Sequence, residues 1–492
     1  MARLHAGNRI VAVSVLLFAS FMDLLDNTIV NVALPAIEQE LGASPAQLEW
    51  LVSGYLLAFA ALLVTGGRLG DILGRRLVFI VGVVGFTAAS MLAGLATSGD
   101  ALVSLRVVQG AFAGVMVPQV LSIIQALFQP RERAAVYGIA GAVTGLAAVA
   151  GPLVGGALIT SDAFGIGWRS IFLINVPIGI LLLVGALLFI PETRSEQAPR
   201  LDVLGVVLAM SGVLALVYPL VEGRQLDWPW WMFALMALSP ILLALFVWHQ
   251  CRRAAASRAP LLPMSLFRDR GFSAGLVVQL AFQAGVASYF LILTIYLQSG
   301  LGYTAWDAGL SILPFSLGAI LGSGVSVPLT AKFGKLLVLA GSILQGAGVA
   351  WSIAVVSDRG DALTISDFIL PLGLAGIGLG LLVVPLLDVA LATVPVDNAG
   401  SASGALSTFQ QVGAGLGVAV VGVVFFGIIG TSFDSATMRD AFLTAAWVAV
   451  TAAAIAAVAS LLLPSIAAVR TRAALQVHDA PDQQEPLKGM TS

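Results

Sequence analysis

Fourteen separate stretches of this 492-residue chain are long and apolar enough to cross a bilayer, which takes about 20 mostly apolar residues. They lie near 10–34, 49–67, 77–97, 101–128, 134–160, 170–190, 202–221, 230–249, 271–298, 307–330, 336–356, 367–393, 399–428 and 441–463. No soluble fold accommodates such a pattern. The chain is 59% hydrophobic and 10% charged, against about 25% charged in soluble domains. The expected fold is therefore an all-α polytopic membrane protein.

Charge placement tests the count. With a cytoplasmic N-terminus, only Arg169, Arg224, Arg359 and Arg439 of the 24 Lys and Arg fall outside, and Arg106 lies within the membrane. The other nineteen fall on the cytoplasmic side, as the positive-inside rule requires. An odd error in span number would scramble that asymmetry, so an even count with both ends inside is expected. Six spans (1–190), two inserted spans with cytoplasmic linkers (191–270), six more (271–464) and a polar tail (465–492) account for the chain. The 251–270 linker is Arg-rich and is expected on the anionic inner surface. Weak internal symmetry joins the halves. The turn GRLGDILGRR (67–76) aligns with VPLTAKFGKL (327–336), so that Leu69, Gly74 and Arg75 match Leu329, Gly334 and Lys335, while Asp71 meets Ala331. Repeated halves are a common plan for secondary transporters.

Within the first span, Asp23 and Asp26 share one helix face. An ionised Asp near the bilayer centre costs roughly 2.5–3.5 kcal/mol, so acids there belong to a polar cavity or a function. Asp388 in the twelfth span is the comparable acid of the second half. His5, His249 and His478 sit outside or at the edge of apolar runs, so a carrier of protons deep in the membrane has to be a carboxylate. Each acid has two readings, a group that trades a proton for substrate or a satisfied structural acid. Glu49, Glu222 and Asp307 fall at span edges, where solvated roles are expected. Asn27, Asn31, Tyr55, Gln119, Gln279, Gln283, Tyr289, Gln410 and Gln411 are candidates to line a central cavity. The Trp residues, Trp50 and Trp168 among them, cluster near span ends as an interfacial belt.

Other chemistries find little support. A single cysteine, Cys251, excludes an internal disulfide framework and a Cys-based zinc site. No phosphate-loop motif is present, so nucleotide hydrolysis by that route is excluded. No His or Cys cluster or nucleophile constellation suggests an enzyme, no basic block suggests nucleic acid, and no metal or cofactor is expected.

Four motifs resemble the major facilitator superfamily and, within it, the fourteen-span drug:proton antiporters; the match covers nearly all of residues 10–465. The first is Gly67-x-Leu69-x-Asp71-x-x-Gly74-Arg75-Arg76. The resemblance implies a cytoplasmic gate latch between the halves; a solvated charged loop is the plainer reading, and the acid is missing from the second copy at Ala331. The second is Leu102-x-x-x-Arg106-x-x-Gln109-Gly110, where the Arg is linked to proton handling in similar proteins or simply pairs with backbone carbonyls. The third, Gly151-Pro152-Leu153-Val154-Gly155-Gly156 preceded by Gly138, is similar to the antiporter signature and implies efflux. Ala147 stands where that signature has Gly, and ordinary small-residue packing also explains the run. The fourth is Leu25-Asp26-x-Thr28-x-x-Asn31-x-Ala33-Leu34-Pro35. The run from Gly167-Trp168-Arg169 to Asn175-Val176-Pro177 favours the fourteen-span branch. Similar proteins often carry Arg-Gln at Gln410-Gln411, and losing that charge suits the cavity to cations.

The resemblance thus implies a fold of two six-helix bundles plus two inserted helices. It implies a proton-coupled exporter of lipophilic, cationic small molecules, monomeric, in the cytoplasmic membrane of a bacterium, with partners limited to substrate, protons and lipid. Asp26 is the first choice for the coupling acid, followed by Asp23, Asp388 and Arg106. A dedicated exporter of one endogenous metabolite, siderophore or lipid is the alternative, and a transport-inactive sensor or scaffold is the rival of another class.

Overall fold

The computed structural model describes residues 6–128, 130–162, 165–194, 201–256, 258, 260–391, 394, 399–430 and 434–464, with some side chains inside the helices left out. The polar tail, Gly138 and the Ala331 side chain fall outside the described parts. Among the described residues the architecture is all helix. Inside a bilayer the backbone cannot bond to water, and a helix satisfies its own N–H and C=O groups.

The helices of the first half are α1 (Ala6–Leu41), α2 (Pro45–Leu73), α3 (Arg75–Ala93), α4 (Gly99–Leu127) and α5 (Pro130–Ser161). They are followed by α6 (Asn175–Phe189), entered through tight turns at Gly167–Arg169 and Ser170–Leu173. Two further helices follow, α7 (Val203–Glu222) and α8 (Trp230–Ala255). The second half contains α9 (Arg270–Ile295), α10 (Ala305–Phe333), α11 (Lys335–Arg359), α12 (Ile369–Leu391), α13 (Ala399–Ile429) and α14 (Ser435–Ser460). Thirteen spans meet the length and hydropathy needed to cross a membrane; α5, with its apolar stretch Val149–Ser161, makes the fourteenth.

The halves repeat one packing scheme. In the first, α2 packs on α4, α3 on α4, α1 on α5, and α3 on α6; in the second, α10 packs on α12, α11 on α12, α9 on α13, and α11 on α14. The turn glycines Gly74 (φ 111°) and Gly334 (φ 36°) both occupy backbone space that other residues avoid. Matching glycines also draw matching helices together. A Cβ on Gly110 of α4 would lie 2.2 Å from the Tyr55 carbonyl oxygen of α2, and one on Gly376 of α12 would lie 1.9 Å from that of Phe315 on α10.

Two seams join the halves, α2 against α13 and α5 against α10. On the extracytoplasmic side the second seam is shut: Gly309 of α10 lies against Pro152 of α5, and a Cβ on Gly156 would strike the Ala305 carbonyl oxygen at 2.7 Å. The Trp306 amide donates to Thr160 Oγ1 at 3.2 Å, and Gln298 Nε2 donates to the Val32 carbonyl at 2.9 Å.

Helices α7 and α8 pack on each other, and α7 packs against α2 and α13. Their cytoplasmic ends are tied at Asp202, which caps α7. Its carboxylate accepts from His249 Nε2 (2.9 Å), Gln250 Nε2 (2.8 Å) and the Gly205 amide (3.1 Å), with Arg253 at 3.4 Å. Burial works against this charge, but the bonds from His249, Gln250 and Gly205 and the Arg253 charge outweigh it and hold the carboxyl below its usual range.

Two outcomes test this packing. Gly376→Ala places a methyl against backbone that cannot yield, and is expected to cost at least about 1–3 kcal/mol, read as a lower Tm in detergent. The tie at Asp202 is fully present above the ordinary carboxylate range and is lost as pH falls through the depressed value. Proteolysis of the 251–270 linker should therefore quicken at low pH, and Asp202→Asn should quicken it at neutral pH.

Candidate functional site

Three buried ionisable residues of the first half, Asp23, Asp26 and Arg106, converge between α1, α2, α3, α4 and α6. Arg106 on α4 is 1% exposed and Asp26 on α1 is fully buried. Arg106 Nη1 donates to Asp26 Oδ2 at 2.6 Å and to Gln109 Oε1 at 2.8 Å, while Nε donates to the Leu51 carbonyl at 3.1 Å. The other Asp26 oxygen accepts from Gln109 Nε2 at 2.9 Å and Asn175 Nδ2 at 2.7 Å. Asn175 also donates to Ser90 Oγ at 2.9 Å, and Ser90 Oγ donates in turn to the Phe172 carbonyl. The guanidinium lies 4.2 Å over the Tyr55 ring, a further attraction for a desolvated cation. The structural reading of Arg106 is seen directly, with the Leu51 carbonyl joined by the Asp26 carboxylate as partners.

Asp23 is different. It is 5% exposed and accepts one short bond, 2.5 Å, from the Tyr55 hydroxyl. Among the described residues no Lys, Arg or His nitrogen lies within 4 Å of it. Two acids a single turn apart thus have different surroundings: Asp26 is paired with Arg106 and bonded on both oxygens, while Asp23 has a single hydrogen bond and no cation within 4 Å among the described residues.

The other candidates scatter. Asn27, Asn31, Gln283, Gln410 and Gln411 are half-buried, as cavity walls would be. Gln119 is fully buried and is no cavity wall: its amide donates to the carbonyls of Gly66 and Val115, stapling α4 to α2. Tyr55 and Gln279 are buried as well, and buried Tyr289 bonds Ser352 Oγ at 2.7 Å between α9 and α11. Asp388 is exposed one turn before the cytoplasmic end of α12, away from the α1 acids.

The motif turns take clear positions. Asp71 pairs with Arg75 at 2.9 Å, and Arg75 also bonds the Ser122 carbonyl. Gly74 leaves room for Glu192, which accepts from the Arg76 amide, and Arg68 bonds the Pro260 carbonyl of the second linker. Gly67 faces Pro118 of α4. These bonds of Asp71, Arg75 and Arg76 stay within the first half. On α5, Gly151 abuts Thr28 and Gly155 abuts Ile29, directly after Asp26 in α1, while Pro152 and Gly156 meet α10. The glycine run is therefore where α1, α5 and α10 close on one another beside the acids.

Two further expectations fail. Glu49 is 1% exposed, not solvated, because it is wedged between α2 and α13 against Gly422. Trp168 is likewise buried, packed edge-on to Phe172. Ser90 was not singled out from sequence, since a lone Ser in an apolar helix carries no signal; Asn175 and Gln109 stood in motifs without an assigned role.

Removing one partner of a buried ion pair costs about 3–5 kcal/mol. Asp26→Asn should lower thermal stability in detergent by that order, and Asp26→Asn with Arg106→Gln should lower it less. Asp23→Asn keeps an acceptor for Tyr55 and should cost no more than about 1 kcal/mol. Equal losses for the two Asn variants would contradict the assignment.

Comparison with known proteins fits this geometry. The chain is 43% identical to the probable actinorhodin transporter of Streptomyces coelicolor, over 86% of this chain and 74% of that one. It is 35% identical to the tetracenomycin C resistance and export protein of Streptomyces glaucescens, covering 86% and 76%. It is also 35% identical to the multidrug resistance protein Stp of Mycobacterium tuberculosis, covering 82% and 73%. A crystal structure of a bacterial homolog of the human lysosomal transporter Spinster, inward-facing and occupied, shares the fold with a TM-score of 0.64 at 18% identity, over 93% and 98% of the chains. With the family model matched across residues 16–418, the chain belongs to the Major Facilitator Superfamily, as a multi-pass membrane transporter and not an enzyme.

Proposed function

We propose that this transporter is a proton-coupled exporter of lipophilic, cationic small molecules of the antibiotic type, working in the cytoplasmic membrane of a bacterium without a bound cofactor. The observation that carries the reading is Asp23, a buried carboxylate next to a neutralised Asp26–Arg106 pair. A lone buried charge is costly unless something binds it. A proton satisfies Asp23, and so does a cation, but not both at once. Exclusive occupancy of one group is what exchange by alternating access needs. Asp26, the first choice from sequence, already has its cation in Arg106, so the exchanging role passes to Asp23. The names of the relatives support export of antibiotics, and the glycine run beside α1 supports efflux as the direction.

The driving force is the proton gradient, whose electrical part supplies about 2.3 kcal/mol per charge per 100 mV. Two of the relatives carry the name of a single antibiotic, which favours a second reading, a dedicated exporter of one product made by the host. A substrate panel separates the two readings.

Inverted membrane vesicles with an acid interior and an enclosed pH-sensitive dye provide the test. Lipophilic cations added outside should alkalinise the interior, since substrate enters as protons leave. Asp23→Asn should abolish that response while the protein remains folded. Continued coupling in Asp23→Asn would remove Asp23 from the mechanism, and silence towards every cation would favour the dedicated exporter.

A further inference from the structure

The inserted pair lies across the α2–α13 seam: Val217 and Val221 of α7 are buried with Ala46 and Leu57 of α2 and Ala419 of α13. Glu49 sits at the extracytoplasmic end of this seam, with one carboxylate oxygen lacking a hydrogen bond among the described residues. Arg224, from the turn between α7 and α8, reaches into the same place. Its Nη2 is 4.0 Å from Glu49 Oε1, its Nη1 donates to the Gly422 carbonyl of α13 at 3.3 Å, and its guanidinium lies 5.0 Å over Phe426. The next residue of α2 is held by the same turn, since Trp50 Nε1 donates to Glu222 Oε1 at 2.8 Å. Gly422 makes this arrangement possible, because a Cβ there would come within 2.2 Å of the Glu49 carboxyl carbon.

We propose that the α7–α8 turn is a clamp on the outer gate, in which Arg224 ties Glu49 of the first half to Gly422 and Phe426 of the second. Opening the extracytoplasmic side draws α2 away from α13 at this end. Arg224 can follow one helix only, so opening breaks the group and releases Glu49 into water. A buried pair is poor value for bulk stability and is best suited to selecting one arrangement over another. The geometry matches that use: at 4.0 Å, with Arg224 Nη2 and Glu49 Oε2 both unbonded among the described residues, the pair is short of a full hydrogen bond. It holds without locking. Arg224 and Glu49 are thereby positioning residues for the conformational cycle, whichever acid exchanges the proton.

The reporter is Ser53, fully buried one turn inward of Glu49, whose carbonyl it bonds at 2.8 Å. Ser53→Cys in a Cys251→Ser background is treated in intact cells with a membrane-impermeant maleimide. Glu49→Gln and Arg224→Gln should each speed labelling at least about fivefold, the low end of coupling between two global states. Arg224→Lys keeps the charge and should speed it less. A second reporter, Ser352→Cys, buried towards the extracytoplasmic end of α11 and away from the seam, should stay at its parent rate. Unchanged labelling of Ser53→Cys in both Gln variants overturns the clamp. So does an Arg224→Lys rate equal to that of Arg224→Gln, which reduces Arg224 to packing, or an equal rise at Ser352→Cys, which means general loosening.

Discussion

A guanidinium buried in the middle of a membrane protein must find a counter-charge and acceptors for its N–H groups, because neither water nor lipid supplies them. Arg106 finds them in Asp26, Gln109 and the Leu51 carbonyl, and Asp26 in turn needs Asn175, which leans on Ser90. Helices α1, α2, α3, α4 and α6 are thus fixed relative to one another by a single hydrogen-bonded chain. The remaining helix of that half, α5, is held to α1 by glycines that admit Thr28 and Ile29. The second half contains no such knot among the described ion pairs. Its buried polar link is Tyr289 with Ser352, surrounded by Phe290, Phe315 and Phe442. One half is organised by charge and the other by shape.

This division gives two acids on one helical face different surroundings. Paired carboxylates in proteins often divide their roles through their surroundings. Asp26 is a structural member of the knot, and its burial makes a low-dielectric wall beside Asp23. The Tyr55 ring serves both, with its face under the Arg106 guanidinium and its hydroxyl on Asp23. Any movement of Tyr55 is therefore felt at both acids.

Much of this was legible in the sequence, for identifiable reasons. Span number and the two-halves plan follow from hydropathy and charge asymmetry, which act over whole segments and tolerate local error. Asp26 and Arg106 stood out because a charge in an apolar run is conspicuous, yet their pairing was not readable, since 80 residues separate them and helix rotation decides which charges meet. Glu49 misled because position along a helix says how deep a residue lies in the membrane, not what lies against it; Gly422 and Arg224, both far along the chain, decide its burial. Gln119 misled in the same way, its amide turned into the α2–α4 contact.

The inserted pair also makes the molecule lopsided towards the lipid. Helix α7, backed by α8, covers the α2–α13 seam, while the α5–α10 seam on the other side has no comparable cover in the packing of the described helices. A lipophilic compound dissolved in the bilayer therefore meets two unequal approaches to the space between the halves. One flank is walled and the other is bare among the described helices.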